Sequence, residues 1–64
     1  MTISAYDNWY GYVNRCTDAQ VHNVFADETA RLEQDLDMKT RLDCHAAVTA
    51  CRVVAAERHL TLAG

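Results

Sequence analysis

Apolar positions recur along this chain at helical spacing, in three runs whose phases differ. In the first, Ile3, Tyr6, Tyr10 and Val13 share one stripe with Trp9 and Tyr12 beside it, which predicts an amphipathic helix over roughly Ser4 to Arg15. Gly11 sits inside that helix and weakens it by about 1 kcal/mol relative to alanine. The tetrapeptide Thr17-Asp18-Ala19-Gln20 then has the form of a capping box, in which the threonine hydroxyl takes the N3 amide and the glutamine reaches back, so a second helix is expected to start there. Its apolar face is Val21, Val24, Phe25, Leu32 and Leu36, interrupted by Glu28.

Beyond Leu36 that stripe runs into Lys39 and Asp43, whereas Met38, Leu42, Ala46, Thr49, Val53, Ala56 and Leu60 form a stripe with its own phase. The jump marks a break, placed at Gln34 to Asp37 with Asp35 or Asp37 as the N-cap of a third helix; Thr40 to Asp43 is the alternative position. The third helix carries two further apolar rows, Cys44, Val48, Cys51 and Ala55, and Ala47, Ala50 and Val54. An ordinary surface helix has an apolar stripe and a polar back, so this one is expected to be buried on more than one side.

No proline or glycine interrupts the chain between Gly11 and Gly64. The expected architecture is therefore a single all-α domain over residues 1–64, a hairpin of two longer antiparallel helices with a short N-terminal helix. A chain of 64 residues buries only about 60% of the surface it exposes unfolded, which is marginal without a staple or a partner. The alanines of the third helix permit close approach, so a homodimer is expected to complete a helical bundle, with Ala46, Ala47, Ala50, Val53 and Val54 in the seam. The alternative is a compact monomer in which the first helix wraps across the hairpin.

Three cysteines, Cys16, Cys44 and Cys51, are an odd number for a closed disulfide framework and read as reduced, helix-buried residues that pack as small hydrophobes. Cys44 and Cys51 stand about 10 Å apart along one helix, too far to share a tetrahedral zinc. His22, His45 and His59 add no ligand spacing, and no metal or cofactor is expected. Adjacent Cys44 and His45 point about 100° apart on a helix and form no dyad. No activated nucleophile, phosphate loop or long heptad run is present, so the protein is not expected to be an enzyme. Neither a membrane span nor a signal sequence is evident, and a cytoplasmic location is expected.

The net charge of −3 disfavours direct contact with nucleic acid. The deficit lies wholly in residues 27–43, where Asp27, Glu28, Glu33, Asp35, Asp37 and Asp43 face three bases. Those acids read either as a solvated helical face or as a surface that imitates nucleic acid and blocks a basic cleft. Four of the five aromatic residues crowd into seven positions, Tyr6, Trp9, Tyr10 and Tyr12, and point in too many directions for one core. With Arg15 one turn on, they are the candidate surface for a protein partner, because such residues dominate interface hot spots.

The function expected is that of a small non-enzymatic regulator that binds and inhibits or redirects a larger protein. In size and composition alone the chain resembles accessory proteins of phages and other mobile elements. Alternatives are the acidic nucleic-acid mimic and a structural subunit whose core a partner completes.

Overall fold

A computed structural model describes residues 4–62 and shows three helices, α1 (Ala5–Asn14), α2 (Asp18–Arg31) and α3 (Met38–Glu57), with no strand among the described residues. Each boundary has a local cause. Ser4 caps α1, its hydroxyl accepting from the Asp7 amide at 3.1 Å. Thr17 and Gln20 close the capping box of α2 in both directions, at 3.2 and 2.8 Å. The break between α2 and α3 falls at the phase jump: α2 ends at Arg31 and Asp37 is the extended N-cap residue of α3. No first-turn amide makes a full hydrogen bond to the Asp37 side chain. The Thr40 hydroxyl and then nearby backbone amides nonetheless hold its carboxyl below the usual carboxylate range. Leu36, expected on α2, lies outside the helix, and Ile3 lies outside the described residues.

The end of α3 was not legible in glycines. His59 adopts a left-handed φ of 59°, Leu60 N–H donates to the Ala55 carbonyl at 2.8 Å, and His59 N–H donates to that of Ala56 at 3.2 Å. This is a Schellman turn with histidine where glycine is usual.

The three apolar rows of α3 differ in which way they face. α1 and α2 both pack on α3 and scarcely on each other. The Cα envelope measures 32 × 32 × 14 Å; its thin dimension matches two helix layers with axes about 8–10 Å apart. One row of α3 runs Asp43, Ala47, Ala50, Val54, Glu57, and α1 reaches both ends of it: Trp9 Nε1 donates to Asp43 Oδ1 at 3.1 Å and Tyr10 OH to Glu57 Oε1 at 2.7 Å. Neighbours on α1 thus touch residues about 21 Å apart along α3.

A second row, Cys44, Val48, Cys51 and Ala55, lies under α2. Contacts run in reversed order along the two: Asp18 with Arg58 at 3.0 Å, the Phe25 ring with the Arg52 guanidinium at 5.7 Å, and the Leu32 carbonyl with Arg41 at 3.4 Å. Arg58 also donates to the Asn14 carbonyl at 3.0 Å, tying the ends of α1, α2 and α3 together. Val13, Val21, Phe25, Val48, Ala50, Cys51 and Val54 make the core, with Tyr6, Trp9, Tyr10, Cys16, Val24, Leu32 and Leu62 packed around it.

The remaining row, which the sequence pattern marks as the principal stripe, faces outward. Met38 and Leu42 are 77% and 61% exposed, Thr49 and Ala56 are exposed, and Ala46, Val53 and Leu60 are half-buried. This corrects the expected dimer seam. Ala47, Ala50 and Val54 are fully or almost fully buried inside the single chain; only Ala46 and Val53 retain any outward surface. The physical reason is size: cysteine and alanine let α1 and α2 approach closely, whereas methionine and leucine on the same line would hold them off.

Candidate functional site

The four N-terminal aromatics divide into two pairs on two sides of α1. Tyr6 and Tyr10 lie 6.0 Å apart with tilted rings, and Tyr10 is fixed to Glu57. That bond, with burial adding to it, raises the Tyr10 pKa above its ordinary 10.0. Trp9 and Tyr12 meet edge to face, centroids 5.8 Å apart at 83°. Trp9 is half-buried and bonded to Asp43, while Tyr12 is 49% exposed. Of the five residues expected to bind a partner, the structure gathers Trp9, Tyr12 and Arg15 along one groove and sets Tyr6 and Tyr10 elsewhere.

That groove has a volume of about 420 Å³ and is lined by Asn8, Trp9, Tyr12, Arg15, Val24, Asp27 and Glu28. It exists because α1 and α2 are held apart by α3. Its least expected feature is Glu28, whose side chain is only 8% exposed and accepts from Arg31 at 3.3 Å. Glu28 is the residue that interrupts the apolar stripe of α2, and the interruption was the only sign in the sequence of a buried acid. The neighbouring Cys44 thiol is pushed up by burial and then by the Glu28 carboxylate beside it.

The six acids do not act as one exposed surface. Asp27 is exposed on the groove and Glu28 is buried in it; Glu33, Asp35 and Asp37 are exposed around the link from α2 to α3; Asp43 is engaged by Trp9. A different hollow, of about 640 Å³, lies beside Arg31, Lys39, Leu42 and Asp43. Of the six acids, Glu28 is ion-paired to Arg31 and Asp43 accepts from the Trp9 indole.

Cys44 and Cys51 are buried and Cys16 half-buried, all three free; Cys16 lies in the link from α1 to α2 rather than in a helix, its thiol donating to the Tyr12 carbonyl at 3.4 Å. Burial pushes the Cys51 thiol up to about 11, so neither buried thiol has the low pKa of a reactive cysteine. The three histidines are exposed. Among the described residues no group of three or more histidine, cysteine or acidic side chains is placed to hold a metal ion, and no helix is long and apolar enough to cross a membrane. No known protein family, curated protein or solved structure matches the chain.

Proposed function

We propose that this protein is a non-enzymatic helical regulator that binds a larger protein in the groove between α1 and α2, and so inhibits or redirects it. The observation that carries the reading is Tyr12, half exposed and edge-on to Trp9 at the side of a groove that none of the described residues fills. An aromatic pair held by a structural anchor, the Trp9 bond to Asp43, loses little conformational freedom on binding, which favours affinity.

Within this reading α2 and α3 form an antiparallel hairpin, supported by the reversed order of their contacts. A second copy of the chain is a further proposal, now on the outward row of α3. That row is bulky at one end, Met38 and Leu42, and small at the other, Ala46, Thr49, Val53 and Ala56. A two-fold axis near Thr49 sets Leu42 against Ala56, where bulk meets space, and Met38 against Leu60.

A pull-down from the source lysate, with and without nuclease, tests the first proposal. One stoichiometric protein that survives nuclease and is lost with Tyr12→Ala is the expected result; a protein retained by Tyr12→Ala would refute the groove. For the dimer, Leu42→Glu is expected to halve the mass seen by light scattering, and an unchanged mass would remove that seam.

A further inference from the structure

The groove has a polarity along its length. α1 and α2 run out from their link at Cys16, so Arg15, the C-cap of α1, stands near the closed end, while Asn8 and Trp9 on α1 and Asp27 and Glu28 on α2 stand toward the open end. At helical rise, Arg15 is about 10 Å from Asn8 along α1. The two carboxylates and Trp9 therefore lie toward one end, the lone cation of the lining, Arg15, holds the other, and Tyr12 stands between them.

The two carboxylates differ in what they have left to offer. Glu28 is tied to Arg31. Asp27 is exposed, one position earlier, and makes no ion pair among the described residues. A free carboxylate beside an edge-on aromatic pair is complementary to a cation, which gains from the ring quadrupole and from the acid together. Of the two cationic side chains, arginine fits better: its guanidinium is planar, weakly hydrated, stacks on rings and binds a carboxylate through two N–H groups.

We infer that the open end of the groove takes an arginine side chain of the protein partner, its guanidinium stacked on the Trp9–Tyr12 pair and hydrogen-bonded to Asp27. Arg15, exposed in the lining and without an ion pair among the described residues, is free to pair with an acidic group of the same segment. The inference rests on the groove being the docking site proposed above.

Trp9 is the only tryptophan of the chain, so its fluorescence reports on the groove directly. The probe is the capped tripeptide Gly-Arg-Gly, titrated at low salt beside its lysine and citrulline counterparts. A saturable change with the arginine peptide, weaker binding of lysine and none of citrulline is expected. Asp27→Asn, a change at an exposed helix position, is expected to weaken the arginine peptide by about tenfold with an unchanged helical spectrum. Citrulline or lysine binding as tightly as arginine, no saturable response, or an Asp27→Asn variant equal to the parent would each overturn the assignment. Pull-down separates this failure from that of the parent reading: a partner kept by Asp27→Asn and lost by Tyr12→Ala leaves the groove but removes its arginine, whereas a partner kept by Tyr12→Ala removes the docking site itself.

Discussion

The junction of α1 with α3 and the groove of α1 with α2 are built from one helix, yet they are opposites. At the junction, Tyr10 and Trp9 are anchored to Glu57 and Asp43, over a floor of Ala47, Ala50 and Val54 that is wholly or almost wholly buried. At the groove, Tyr12, Arg15 and Asp27 face open space. A helix of ten residues is too short to be stable alone. α1 is therefore held by α3, which leaves its other side free to carry chemistry unrelated to folding.

The sharpest way to break the contrast is Ala50→Glu. On the expectation of a dimer seam this change would have given a folded monomer; with Ala50 buried under the chain's own α1, it places an unpaired charge in the core. A loss of at least about 3 kcal/mol is expected, seen as an unfolded circular dichroism spectrum, and a folded protein would show that the junction is looser than described. Leu42→Glu on the outward row should change monomer stability by under about 0.5 kcal/mol.

Smaller effects sharpen it. A Cβ added at Gly11 meets nothing within 4 Å, so Gly11→Ala should stabilise the protein by about 1 kcal/mol, measured by urea denaturation, without altering the groove. His59→Gly relieves a left-handed residue and should add about 0.5–1 kcal/mol. The two packed faces of α3 also have an alkaline signature. Tyr10, Cys44 and Cys51 all have pKa values raised by folding, from 10.0, 9.0 and 9.0 respectively. Each holds its proton more tightly when folded, so their contribution is intact below pH 9.0 and is lost as pH rises through the folded values. The melting temperature should fall as pH rises from 9.0 through about 11, and Tyr10→Phe should lessen that fall.

How far the sequence could be read follows from what periodicity measures. The capping box at Thr17 and the phase jump before Met38 located α2 and α3 because each is a local signal. Three apolar rows on α3 exceeded what spacing can rank: all three satisfy the helical repeat, and only the close approach allowed by Ala47, Ala50, Cys44 and Cys51 decides which face inward. Met38 and Leu42, the bulkiest apolar residues of α3, proved to be surface. The aromatic cluster was visible as too many directions for one core, but its division into Tyr6 with Tyr10 and Trp9 with Tyr12 depends on α3 lying beneath one side. Glu28 was visible as an interruption, and its burial depends on Arg31 and on helices distant in sequence.

The most direct test of the division is a paired measurement of partner capture and thermal unfolding on Tyr10→Phe and Tyr12→Ala. Tyr10→Phe is expected to melt at a lower temperature and keep the partner, and Tyr12→Ala to melt as the parent does and lose it. Loss of the partner with Tyr10→Phe and its retention with Tyr12→Ala would contradict the assignment of folding to one side of α1 and binding to the other.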